Sequence, residues 1–373
     1  MATAKSRTTR RPPERSGTTG GIGGGRRVLV TGLASFWGGR IAQQLEADPT
    51  VDVIVGLDRR EPTVPLDRTE FVRADESYSI LSRIVKAAQI DTIVHTFLIV
   101  DSTTMSNRVL HEINVIGTMN LLAAAGAAGS TVRTVIVKSS TLVYGATSED
   151  PVWFREDTPR SAPPKTRVER SLLEVESYLR DFAEDNPHVA VSLLRISNVI
   201  GREITTPLVA ALQLPVVPAI AGFDPRFQFV DEGDVIRSLL FVLRAQVPGV
   251  FNVAGDGLLP WSEVGAICGG KPFAYMPPVL TGLAAAPLRR LGIVDLPPEI
   301  LDLLRFGRGV DNRRLKQAGF RYEHTSAGAV ERFWQGVRLR RTVGSSEPEF
   351  VYDPEVESFF RHSPAVVHEL PTA

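Results

Sequence analysis

The chain has 373 residues, 43% hydrophobic and 23% charged, enough for one large α/β unit with a smaller second lobe and a buried core. Its 42 basic and 42 acidic residues cancel, so no global field marks a nucleic-acid or anionic-membrane binder, and a small molecule or a protein is the expected partner. The single cysteine, Cys268, excludes an intrachain disulfide framework and a cysteine-rich zinc site, and the cytoplasm is the expected compartment.

Residues 1–25 combine Lys5, Arg7, Arg10, Arg11 and Arg15 with Pro12-Pro13 and the run Gly20 to Gly25, the composition of a disordered basic tail. Such a tail offers at most a weak contact to lipid or nucleic acid. No apolar run follows its arginines, so no secretory signal is expected. Nor does any stretch reach the roughly 18 to 20 apolar residues that span a bilayer; Leu208 to Phe223 is broken by Pro215 and Pro218. The six histidines show none of the close spacings of metal ligands, and no metal is expected.

At Arg27 the periodicity changes. The apolar run Arg27 to Thr31, a glycine-bearing turn and an amphipathic segment from Gly38 to Leu45 read as strand, loop and helix. Further strands are expected at Val51 to Asp58, Glu70 to Ala74, Asp91 to Thr96, Thr134 to Ser139 and Val189 to Ile196. Helices are expected at Leu81 to Ala88, Arg108 to Ala125 and Arg167 to Glu184. Strands without strict alternation, each separated by a helix, predict a parallel sheet covered on both faces, a Rossmann-type doubly wound α/β domain over residues 26–200. Residues 201–340 are more proline-rich and read mostly as a smaller second lobe, with helices at Val235 to Ala245, Trp261 to Ile267 and Ala327 to Val337. Within them Val250 to Val253 has the look of a strand that returns to the main sheet, and residues 341–373 form a C-terminal extension.

The first strand runs into Thr31-Gly32-Leu33-Ala34-Ser35-Phe36-Trp37-Gly38. Gly32 permits a tight turn, Gly38 permits close helix packing, and the helix N-terminus offers N–H groups to a pyrophosphate. Asp58 closes the second strand where a carboxylate accepts hydrogen bonds from ribose hydroxyls. In these strand contexts the pair points to dinucleotide binding, with NAD preferred because Asp58 repels a 2′-phosphate that Arg59 and Arg60 only partly offset.

In order and spacing, the sequence resembles the extended short-chain dehydrogenase/reductases, in their NAD-dependent epimerase/dehydratase (UDP-glucose 4-epimerase-like) branch, over residues 26–335. Thr31 to Gly38 is similar to T-G-x-x-G-x-x-G, with Ser35 in place of the middle glycine, where it is either tolerated or weakens the cofactor. Val72-Arg73-Ala74-Asp75 resembles the third strand, implying an adenine contact at Asp75. His95 lies in a segment similar to V-I-H-L-A-A, and Asn114 to Thr118 matches N-V-x-G-T. Ser139 to Gly145 is similar to S-S-x-x-V-Y-G, which places Ser140 at the catalytic Ser/Thr position. Leu194 to Gly201 resembles L-R-x-x-N-V-Y-G, and Phe227 to Asp234 resembles a substrate-lobe segment. The resemblance implies Gly32, Ser35, Phe36, Trp37, Gly38, Asp58, Arg59, Asp75, Asn114 and Ser139 at the cofactor, Asn198 and Arg226 at the substrate, and a homodimer built on the helices around Arg108 to Ala125 and Glu169 to Glu184.

The departure from that pattern lies in the chemistry. The family's Tyr-x-x-x-Lys is absent, and the corresponding stretch reads Ser161-Ala162-Pro163-Pro164-Lys165-Thr166-Arg167-Val168-Glu169-Arg170. Two registers remain open, Ser161 with Lys165 or Thr166 with Arg170; the second is preferred because Leu172 to Tyr178 then continues the helix. Neither supplies a phenol. Tyr144 and Tyr178 read as structural, and Glu156 and Asp157 as a solvated loop. Lys138 shares a strand face with Ser140, so Ser140, Lys138 and Arg170 are the candidate catalytic set. Two functions stay open: an epimerase, dehydratase or reductase for a nucleotide-sugar-like substrate with a rearranged proton relay, or a non-catalytic NAD(H)-binding sensor or scaffold on the same fold.

Overall fold

The computed structural model describes residues 24–101, 105–278 and 296–343. Most of the expected N-terminal tail and nearly all of the C-terminal extension lie outside these residues. Seven parallel strands form the central sheet: β1 (Arg26–Thr31), β2 (Val51–Asp58), β3 (Thr69–Arg73), β4 (Thr92–His95), β5 (Thr134–Ser140), β6 (Ala190–Ile196) and β11 (Gly249–Val253). Their order across the sheet is β11-β6-β5-β4-β1-β2-β3. The order reverses direction at β1, so the loops after β1 and β4 diverge and leave a crevice at the carboxyl ends of the strands.

Alternation along each strand feeds two cores. Leu29, Ile93, Val135 and Val137 face a layer made by α2 (Tyr78–Ala87), α4 (Gly117–Ala125) and α5 (Arg167–Asp185). Val28, Val30, Val94 and Ile136 face α1 (Phe36–Glu46) and α7 (Glu232–Ala245). The strands are apolar on both sides because both sides are covered.

The single helix expected from Arg108 to Ala125 is three pieces: α3 (Asn107–His111), a π-helical turn at Glu112–Ile116, and α4. The extra residue of the π turn lets Asn114 face the segment after β4, where its amide closes two hydrogen bonds with the Ile99 backbone, both at 2.8 Å.

Short strand pairs lie outside the central sheet: β7 (Asn198–Ile200) with β10 (Phe229–Asp231), β8 (Val217–Ile220) with β13 (Phe273–Met276), and β9 (Arg226–Phe227) with β12 (Leu259–Pro260). They pack with α6 (Pro207–Gln213), α8 (Trp261–Ile267), α9 (Pro298–Phe306) and α11 (Ser326–Val343) around Phe227, Trp261 and Phe333. A short α10 (Arg313–Gln317) puts Leu315 against the main-sheet core. Among the described residues, no helix is long and apolar enough to cross a membrane.

Candidate active site

After β1 the chain turns at Gly32, whose φ of +77° is left-handed backbone that favours glycine. A Cβ on Gly38 would lie 2.1 Å from the Gly32 carbonyl oxygen. The first turn of α1 therefore presses directly on the loop. Ser35 caps this helix: its Oγ accepts the Gly38 N–H at 3.1 Å and donates to the Gly32 carbonyl at 2.6 Å. Both bonds stay within the loop, so the hydroxyl that replaces the middle glycine is held inside the turn. No acceptor among the described residues takes the N–H of Phe36 or Trp37. Two donors thus remain at the positive end of α1.

Asp58 is buried at the end of β2 and accepts the Ala34 N–H at 2.9 Å and the Arg60 N–H at 3.0 Å. Each of its oxygens keeps another lone pair, so the carboxylate can hold the loop and still accept a ribose hydroxyl. Arg59 is exposed beside it, and Asp75 is exposed just beyond β3, accepting the Ser77 N–H at 3.2 Å.

The ends of β1 and β4 are pinned to each other. Thr96 Oγ1 donates to the Thr31 carbonyl at 2.8 Å. The His95 ring lies between Thr31 Oγ1 at 2.6 Å and Thr118 Oγ1 at 3.0 Å. Burial pushes the His95 pKa down to about 3, helped by the charge of Lys138, so this histidine is a neutral tie.

On β5, alternation separates neighbours. Lys138 is 5% exposed, and among the described residues no carboxylate pairs with it. Its Nζ stands 5.7 Å from the centre of the Trp37 ring. Burial alone lowers its pKa to about 8. Ser140, partly exposed, accepts the Leu142 N–H at 3.2 Å, which leaves the hydroxyl proton free to donate. Ser139 points the other way and donates to Glu176 Oε1 at 3.2 Å. That side chain is committed to the framework, since Glu176 pairs with Arg195 at 2.6 Å, Arg195 donates to Tyr144 Oη at 2.7 Å, and Tyr144 donates to Asn252 Oδ1 at 2.8 Å. Tyr144 also stacks on Phe154, and Glu156 accepts the Asn252 N–H at 2.9 Å.

The stretch that stands for Tyr-x-x-x-Lys opens α5. Thr166 is the cap, its Oγ1 accepting the Glu169 N–H at 3.2 Å, and Glu169 pairs with Arg160 at 2.9 Å. Lys165 pairs with Asp302 of α9 at 3.1 Å. Arg170 is exposed, donates to the Lys165 carbonyl at 3.2 Å, and lines a cleft with Arg167, Arg305 and Asp302 whose lining does not include Lys138 or Ser140. Ser171 rather than Arg170 meets Asn114, at 3.3 Å. In the second lobe, Asn198 donates to the Gln228 carbonyl at 2.9 Å, and the side chain of Arg226 is exposed on β9.

Sequence reasoning missed three groups. Glu76 is buried beside the Asp58 and Asp75 carboxylates. Arg308 is buried with its Nη1 donating to the Gly145 carbonyl at 2.7 Å, and burial lowers its pKa to about 10. The Glu176–Arg195 pair joins residues 19 apart in the chain. None of the three belongs to a local pattern, because each partner lies on another element.

An uncharacterised protein of Mycobacterium tuberculosis is 32% identical over 316 residues, 83% of each chain. The dTDP-D-glucose 4,6-dehydratase of Mus musculus is 28% identical over 259 residues, 64% of this chain and 70% of that one. Among solved structures, UDP-glucose 4-epimerase of Thermotoga maritima with UDP-glucose superposes with a TM-score of 0.64 at 17% identity, covering 85% of this chain and 100% of the other. The dTDP-glucose 4,6-dehydratase DesIV of Streptomyces venezuelae, with NAD and TYD bound, gives 0.64 at 23% identity over 86% and 99%. The cradle at α1 fits NAD: two N–H donors without an acceptor among the described residues are left for a diphosphate, the Gly38 crossing has no room for a methyl group, and Asp58 retains acceptors for ribose. The model of the NAD dependent epimerase/dehydratase family matches residues 28–254, from β1 to just past the strand that completes the sheet, and the chain belongs to that family.

Proposed function

We propose that the protein is an active member of its family, an epimerase, dehydratase or reductase for a nucleotide-sugar-like substrate, with Lys138 and Ser140 at its chemical centre. The observation that carries this reading is the buried ammonium of Lys138, two residues before Ser140 and with no carboxylate partner among the described residues. Removing a charge from water costs several kcal/mol unless it is paired, and the Trp37 ring at 5.7 Å offsets only part of that cost for a lysine kept only for structure. The names of solved neighbours, which hold UDP-glucose or NAD, support the substrate class.

Bound NAD supplies a hydride acceptor and donor. The Ser140 hydroxyl donates to the reacting oxygen of the substrate and orients it. Neutral Lys138, about one molecule in ten at pH 7 for a pKa near 8, takes the proton of that oxygen and later returns it. Asn198 and Arg226 hold the substrate from the second lobe. Arg170, on its own cleft, serves binding better than proton transfer. A homodimer through α3, the π turn, α4 and α5 is part of this reading, and Val109, Ile116 and Met119 on these elements are exposed apolar side chains that such an interface would cover.

The test starts with the purified full chain. Its cofactor content and oxidation state are read by mass spectrometry and absorbance, and turnover is measured on a panel of UDP- and dTDP-sugars. Turnover that is lost in Lys138→Met and Ser140→Ala, with NAD still bound, is the expected result. Bound NAD with no turnover anywhere on the panel points instead to the sensor or scaffold.

A further inference from the structure

Glu76 follows β3 and has 5% of its surface exposed. Its Oε1 is shut off from solvent and has no hydrogen-bond partner. The backbone that carries it is tied to α4: Asn120 donates to the Glu76 carbonyl at 2.9 Å. A Cβ on Gly117 of α4 would lie 3.4 Å from the Glu76 Cβ, so carboxyl stem and helix are in close packing.

The charged groups around it come from two strand ends. Asp58 and Arg59 close β2, and Asp75 follows β3; α4 presents neutral Gly117 and Asn120. Two carboxylates and one exposed guanidinium therefore surround a third carboxyl that is out of water. The same two carboxylates are those assigned to the adenosine half of NAD, Asp58 to the ribose and Asp75 to the adenine. The buried carboxyl, whose Oε1 has no partner and which takes a hydrogen bond from its own backbone N–H, thus neighbours the two residues proposed for the adenosine subsite.

We propose that Glu76 makes the adenosine subsite proton-linked: NAD(H) binds to the form in which the Glu76 carboxyl is neutral, and binding takes up a proton when the carboxyl starts out ionised. Three effects act in one direction. An ionised Glu76 adds a negative charge to Asp58 and Asp75 close to where the diphosphate arrives. Adenosine covering Asp58 and Asp75 removes the remaining water that an ionised carboxylate needs. A neutral carboxyl can also donate a hydrogen bond, which an ionised one cannot. Burial already raises the pKa of this group to about 7 in the free protein, so the change falls in the neutral range. The sign follows: bound cofactor raises that pKa further, and affinity falls as pH climbs through the free value.

The inference rests on the NAD site described above, and the experiment separates the two. Binding of NAD+ and of ADP-ribose to the full chain is titrated calorimetrically from pH 5.5 to 7.5, where Lys138, with a pKa near 8, stays mostly charged, and the same titration of Lys138→Met removes its remaining share. Proton uptake is measured at pH 7 in buffers of different ionisation enthalpy. For wild type, Kd should rise about threefold to fivefold between pH 6 and 7.5 for both ligands, with fractional proton uptake at pH 7. Glu76→Gln, which keeps the shape of the neutral carboxyl, should bind at the pH 6 affinity throughout and take up no proton. A flat wild-type profile without proton uptake overturns the proposal and leaves the NAD site standing. A slope that persists in a folded Glu76→Gln overturns it as well, and absence of NAD binding at every pH overturns both. If the variant fails to fold, the wild-type proton uptake alone decides.

Discussion

The Lys138 ammonium and the Trp37 ring face each other at 5.7 Å, one from the end of β5 and the other from the first turn of α1. This contact joins the cofactor loop to the strand that carries Ser140. Trp37 both shields the ammonium from water and offers it the ring face, so it sets how much of Lys138 is neutral. Trp37→Leu keeps an apolar cover but removes the ring, a loss of about 0.5–2 kcal/mol for the charged form. The neutral fraction of Lys138 should then rise. In wild type the rate should climb with pH up to about 8 and level off, because neutral Lys138 is the proposed proton acceptor. In Trp37→Leu the midpoint of that climb should move to lower pH, and in Lys138→Met the climb should vanish with the activity. A pH–rate profile of kcat reads all three, and a wild-type rate that falls between pH 7 and 8 contradicts the assignment.

Gly38 tests the cradle. A methyl group there meets the Gly32 carbonyl oxygen at 2.1 Å, and that contact is backbone, which cannot give way without moving the loop. Overpacking of this kind costs about 1–3 kcal/mol. Gly38→Ala should lower Tm by several degrees and weaken NAD+ by at least about tenfold, the affinity equivalent of 1.4 kcal/mol. An unchanged Kd in a folded Gly38→Ala would place the cofactor elsewhere.

Tyr144 is the tyrosine nearest the motif serine, yet its hydroxyl lies between Arg195 at 2.7 Å and Asn252 at 2.8 Å. Tyr144→Phe should cost about 1–3 kcal/mol of stability, since two buried polar groups lose their partner, and should leave the pH–rate profile in place. Arg195→Met should be worse, about 3–5 kcal/mol, because it strands the Glu176 carboxylate in the interior. Denaturant midpoints measure both costs. Loss of turnover in a stable Tyr144→Phe would make this phenol the missing proton donor.

Asp58 is the residue proposed to set the choice of cofactor. A 2′-phosphate brought to about 4 Å from it meets a repulsion on the order of 4 kcal/mol per charge pair at an effective dielectric near 20, before screening. Even a third of that is about tenfold. NADP+ should therefore bind at least about tenfold more weakly than NAD+, and Asp58→Asn should narrow the gap, with Arg59 now unopposed beside the ribose. Parallel titrations of the two nucleotides read it, and equal affinity in wild type would remove Asp58 from the ribose site.

The sequence by itself determined the architecture and the place of the site. Apolar runs without alternation can be buried only in a sheet covered on both faces, and Gly32, Gly38 and Asp58 mark the turn and strand end of the proposed dinucleotide site. Strand alternation also set Lys138 and Ser140 on one face and Ser139 on the other, because that period is built into the backbone. What alternation does not contain is the partner waiting on each face. The tertiary structure decided that Ser139 meets Glu176 from 37 residues away, that Tyr144 is locked by Arg195, that Asn114 lies in a π turn and meets Ser171 rather than Arg170, and that Arg170 faces outward. It likewise decided that Lys138 meets no carboxylate among the described residues and that Glu76 is shut away beside two other acids. Hydrogen bonds, counter-ions and loss of water are properties of elements brought together from distant parts of the chain, so the charge state of each group was settled only when the helices closed over the sheet.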